Sequence, residues 1–95
     1  MMEISEQEDM MTEKVSKLYP NPSQNIVYYE TDLSDDEIGT LFIYDVTGKG
    51  IMEYKLNGGH NKLGINVAKL NNGLYSYRLY VNGEYKEQDK FIIQR

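Results

Sequence analysis

The chain has no cysteine and no tryptophan, only two prolines and a single histidine. Without cysteine it has neither a disulfide framework nor a thiolate zinc site, and its redox compartment leaves no mark. Clustered cations are missing too. Ten Lys and Arg face fifteen Asp and Glu, a net charge of −5, which argues against nucleic-acid binding through counterion release. No stretch approaches the ~18 apolar residues of a membrane span, so no transmembrane segment is expected. The opening MMEISEQEDMMTEK lacks the basic start and apolar run of a secretory signal. The chain as it stands is therefore expected to be soluble and to carry no export leader of its own. Its 95 residues allow one domain, which buries about 60–65% of its unfolded surface around a thin core.

What is present divides into two zones. Residues 1–17 hold five acids against Lys14 and Lys17, without glycine or proline. Residues 1–14 read as an acidic leader, disordered or forming a short helix whose stripe of Ile4, Met10, Met11 and Val15 is too sparse to hold it alone. Residues 15–95 read as the domain, and all eight glycines and all nine tyrosines fall within it.

That domain is written in strands and turns. Val15–Tyr19 is a first strand, stopped by PNPS at 20–23, where two prolines remove backbone donors. Asn25–Glu30 is a second, followed by the acidic loop TDLSDDE at 31–37. Thr40–Val46 is apolar on both faces, which suggests a central strand. TGKG at 47–50 turns it into Ile51–Leu56, and the Asp45 carboxylate is placed to bond the turn amides. NGGH at 57–60 reads as another turn, and Leu63, Ile65 and Val67 alternate with Gly64 and Asn66 as a half-buried strand. After LNNG at 70–73, Leu74–Val81 puts Tyr75, Tyr77, Leu79 and Val81 on one face. Asn82-Gly83 is a type I′ hairpin signal. Glu84–Gln94 then returns, with Tyr85, Phe91 and Ile93 expected to face one way. Seven short strands predict an all-β fold, a seven-stranded antiparallel immunoglobulin-like β-sandwich, with a small barrel as the alternative.

The residues that carry chemistry elsewhere have bland explanations here. His60 sits in a glycine-flanked turn, with no nucleophile in an elbow context to activate, so no catalytic residue and no enzyme is expected. Asp32, Ser34 and Asp36 alternate like calcium-loop ligands, but the sixth and twelfth positions are Glu37 and Ile43 where glycine and glutamate are needed. No metal and no other cofactor is expected. TGKG lies between two strands and is a hairpin rather than a phosphate loop. The tyrosines suit strand surfaces and a thin core, and the other use for them is a ligand face for glycan or protein. KFIIQR at 90–95 is a closing strand that also has the form of a strand bound along its edge by another protein.

Taken together, LYPNPSQNIVYY at 18–29, LFIYDVTGKGI at 41–51, INVAKLNNGLYSYRL at 65–79 and KFIIQR at 90–95 resemble the type A C-terminal sorting domain of the Bacteroidetes type IX secretion system. The resemblance covers about residues 15–95. It implies a non-catalytic sandwich at the end of an exported cargo, recognised in the periplasm by outer-membrane translocation machinery. A surface sortase-like peptidase then removes it, leaving the cargo secreted or at the cell surface. By match, Pro20, Asn21 and Pro22 correspond to the family's opening turn, and Asp45, Gly48 and Lys49 to its hairpin. Gly73 and Tyr75 correspond to a strand start, and Lys90, Phe91, Ile92, Ile93, Gln94 and Arg95 to the segment used in recognition. The rival expectation is a stand-alone immunoglobulin-like binding or adhesion module that uses a tyrosine-rich face.

Overall fold

In the computed structural model, which describes residues 16–95, seven strands and no helix form two antiparallel sheets. The strands are β1 (Ser16–Tyr19), β2 (Ile26–Leu33), β3 (Gly39–Tyr44), β4 (Gly50–Leu56), β5 (Gly59–Asn66), β6 (Gly73–Val81) and β7 (Glu84–Ile93). One sheet has the order β1-β2-β5 and the other β4-β3-β6-β7. The fold is the expected immunoglobulin-like sandwich. The leader over residues 1–14, and Val15 at the start of the expected first strand, lie outside the described residues.

The core follows from period-2 alternation. Val27, Tyr29 and Leu33 of β2, with Ile65 of β5, face Leu41 and Ile43 of β3 and Tyr75, Tyr77 and Leu79 of β6. Tyr29 and Tyr77 meet across the interior edge to face, with ring centres 5.4 Å apart. Burial pushes the Tyr77 hydroxyl up to about 12 and raises that of Tyr29 as well. The strand read as central, β3, lies between β4 and β6.

Two hairpins match their sequence signals. Asn82 and Gly83 take positive φ, 53° and 83°, as the β6–β7 turn requires. Asn82 also ties down the preceding acidic loop, because its side-chain oxygen accepts from Ile38 N–H at 3.0 Å. In the β3–β4 turn, Asp45 Oδ1 accepts from Thr47 N, Lys49 N and Thr47 Oγ1 at 2.9, 3.1 and 2.6 Å. Those bonds, the Thr47 hydroxyl first, hold the Asp45 carboxyl below its usual range.

Three expectations are corrected. The acidic loop starts later than 31, because Thr31 and Leu33 continue the inward alternation of Val27 and Tyr29 and extend β2 to Leu33. NGGH is not a turn over all of 57–60. Asn57 and Gly58 carry the chain from one sheet to the other, and Gly59 and His60 already belong to β5. His60 is therefore a strand residue opposite Asp32, with Nδ1 2.7 Å from Asp32 Oδ1 and Nε2 3.4 Å from Glu30. The last correction concerns Tyr85. The β6–β7 register shifts between Leu79 and Tyr80, which leaves Lys86 as an extra residue on β7. Tyr85 therefore lies outward beside Tyr80, with rings 6.1 Å apart, and is 57% exposed, whereas Phe91 is 1% exposed.

Candidate functional site

The segment expected to carry recognition, Lys90–Arg95, forms the last four residues of edge strand β7 and the two residues beyond it. Period 2 splits it. Phe91 and Ile93 are buried in the core, with the Phe91 ring 5.8 Å from Tyr75 and 6.5 Å from Tyr77. Lys90, Ile92 and Gln94 point the other way and are exposed.

An edge strand offers a row of unpaired donors and acceptors to any partner strand. Here the donors of residues 90, 92 and 94 are already used. Lys90 N–H donates to the Asp89 carboxylate at 2.8 Å, and Ile92 N–H to Asn21 Oδ1 at 2.9 Å. Gln94 N–H donates to Ser23 C=O at 2.9 Å, and Ser23 N–H returns a bond to Ile92 C=O at 2.8 Å. The contact is a short parallel bridge between Ser23 and Ile93. The PNPS sequence explains its form. Pro20 and Pro22 have no N–H, so the segment cannot run a continuous ladder. Ser23 supplies one backbone pair, and the Asn21 side chain substitutes for a backbone carbonyl.

Arg95 completes the closure. Its guanidinium donates from Nη2 to Val67 C=O at 2.5 Å and from Nη1 to Leu70 C=O at 2.8 Å. Longer bonds of 3.3–3.4 Å reach the Asn72 and Asn25 side chains. A planar fork with five donors suits this two-carbonyl target. Tyr75 serves the same loop, since its hydroxyl donates to Asn71 C=O at 2.7 Å.

The other expected motif residues gather at the same end of the sandwich. Asp45, Val46 and Gly48 of the β3–β4 turn, Leu74, Tyr75 and Ser76 of β6, and Lys90 of β7 line one shallow depression. The structure thus brings the hairpin, the β6 start and the terminal segment together around one spot, and bolts the proline turn to the edge beside it. Lys49 lies in the same turn, where its main chain bonds Asp45.

Sequence reasoning missed two things. Arg95 is also a structural fork, and only its position opposite the 67–72 loop reveals that. Glu87 is the second. It lies opposite Leu79 on the inner side of β7 and bonds the hydroxyl groups of Ser16 and Tyr29, closing the gap between the two sheets. It shares the inward parity of Phe91 and Ile93, but its partners lie on β1 and β2 of the other sheet, which no local pattern announces.

Among the described residues, no group of His, Asp and Glu is arranged to hold a metal ion, and no helix is long and apolar enough to cross a membrane. Asp32 is engaged by His60, and Glu37 Oε1 accepts from Ser34 N–H at 2.7 Å within its own loop. The model of the family described as "Secretion system C-terminal sorting domain" matches residues 17–94. No curated protein matches the chain.

Proposed function

The chain belongs to the C-terminal sorting domain family of the type IX secretion system, and from that premise we propose that it directs an attached cargo to the cell surface. Sorting domains of this family are in general non-catalytic secretion signals that act through the secretion machinery. In our reading, residues 15–95 are the sorting module and 1–14 an acidic leader ahead of it. Outer-membrane translocation machinery recognises it in the periplasm, and a surface sortase-like peptidase removes it.

One observation carries this reading. The terminal segment is built into the fold by a second family motif, with Asn21 and Ser23 bonded to Ile92 and Gln94, so the motifs form one unit. Such an arrangement suits a domain whose only task is to present a folded end to a receptor. The rival, a stand-alone module binding glycan or protein through its tyrosines, has a specific feature to point to. Tyr44, Phe42, Tyr80 and Tyr85 line the outer face of the larger sheet. But Phe42 and Tyr80 cross at 88°, and Tyr80 and Tyr85 at 72°. Rings packed edge to face into one another offer no flat platform for a sugar.

The test is a reporter with an export leader, fused ahead of the full chain and expressed in a type IX-competent host. We expect the reporter at the surface. We also expect no binding on a glycan array. A reporter that stays in the periplasm, together with saturable sugar binding, would move the function to the rival.

A further inference from the structure

Chain-wide the protein is acidic, yet its charges are sorted by end. Segments 45–50, 67–74 and 89–95, each of which reaches the depression, carry Lys49, Lys69, Lys90 and Arg95 against two acids, Asp45 and Asp89, and of these charges Lys90 and Asp45 line the depression itself. Asp45 spends its carboxylate on its own turn. The opposite end, 32–38, 55–60 and 82–87, holds six acids against Lys55, Lys86 and His60. At the basic end three apolar side chains stand exposed: Val46 at 74%, Leu74 at 41% and Ile92 at 43%. Leu74 and Ile92 are cross-strand partners on the outer face, and Val46 and Leu74 share the depression with Lys90. An antiparallel sheet normally keeps its solvent face polar.

We infer that this composite patch, Val46, Leu74 and Ile92 flanked by Lys90 and the Lys49 turn, is the docking surface for a protein partner that presents an apolar knob ringed by carboxylates. The inference rests on the sorting function and specifies how its signal is read. Two observations exclude the simpler mode, in which the partner adds a strand to the terminal segment. The edge donors of residues 90, 92 and 94 are all taken within the domain. Phe91 and Ile93, which a peptide-binding groove would need as anchors, are buried in the core. What remains accessible is a surface assembled from three separate stretches of sequence. Its cations complement an acidic partner and steer the encounter, and its apolar centre supplies the affinity.

The experiment compares full-chain reporter fusions in a type IX-competent host. The double variant Val46→Glu with Leu74→Glu changes two exposed side chains outside the terminal segment. Its export should fall about tenfold or more, as expected when charge enters the centre of an interface. Tyr85→Ser, on the same sheet face at the acidic end, should be exported like the parent. Melting temperatures within about 4 °C of the parent confirm that both variants are folded. A reporter ending only in Lys90–Arg95 should not be exported. Export of that hexapeptide fusion, or undiminished export of the double variant beside an exported parent, would overturn the inference alone. So would a chain that self-associates through the patch and loses only that association in the double variant. If the parent fusion itself is not exported, the sorting function and this inference fall together.

Discussion

Replacing Arg95 with alanine removes a guanidinium that donates to two carbonyls of the β5–β6 connection, Val67 at 2.5 Å and Leu70 at 2.8 Å. A hydrogen bond from a charged donor contributes about 1.5–3 kcal/mol when water cannot replace it. The Leu70 bond is solvent-exposed and the Val67 bond only part-buried, so the pair together should contribute about 1–2 kcal/mol. For a domain of this size, each kcal/mol moves the melting temperature by roughly 4–8 °C. Arg95→Ala should therefore melt about 5–15 °C below the parent, read by circular dichroism on the full chain. Arg95→Lys keeps the charge but not the fork, and an ammonium reaches one carbonyl at a time. It should recover about half of the loss. Amide exchange should quicken first at 67–72, the segment that the fork holds. The reasoning is refuted if Arg95→Ala melts like the parent while export of a fused reporter collapses. Arg95 would then be a contact read by the partner.

Other substitutions test the packing and the register. Phe91→Ala opens the core where Tyr75 and Tyr77 meet and should cost about 3–5 kcal/mol in urea unfolding, a large share of a total near 5–10. Tyr85→Ser should change stability by less than about 0.5 kcal/mol, and equal losses for the two would mean that the bulge is misplaced. Gly58→Ala drives a Cβ into the carbonyl oxygens of Ser34 and Asp35 and should cost about 1–3 kcal/mol, since backbone cannot step aside as a side chain can. His60 gives a pH signature. Its bond to Asp32 raises its pKa most; burial opposes that, and the charge of Asp32 and then the contact with Glu30 add to the rise. A raised folded pKa means stability that is fully present below about 6.5 and lost as pH rises through the folded value. The melting temperature of the parent minus that of His60→Gln should therefore shrink across neutral pH, and a difference independent of pH would contradict the pairing.

Much of the fold was legible because its signals are local. Asn82-Gly83 demands positive φ at both positions, Asp45 caps a turn within four residues, and the two-faced apolarity of β3 marks a central strand. The failures share a different cause, since each depends on a partner distant in sequence. Thr31 and Leu33 look like loop until β5 pairs with them, and His60 looks like turn until Asp32 lies opposite. Tyr85 keeps the expected parity until one extra residue on β7 reverses it. The candidate site divides in the same way. Its motifs could be read as four separate stretches. That Asn21 and Ser23 seal the edge of residues 92–94 is a contact across some seventy residues, which no spacing rule announces.

Truncating Lys90–Arg95 is the obvious test of the sorting function, but it also removes Phe91 and Ile93 from the core and so confuses unfolding with lost recognition. The most direct measurement leaves the chain intact and changes the host. A reporter with an export leader, fused ahead of the full chain, is followed in cells with a working type IX system and in cells lacking its outer-membrane translocon. The account predicts reporter at the surface or in the medium of the first and trapped in the periplasm of the second. The same distribution in both hosts would contradict it.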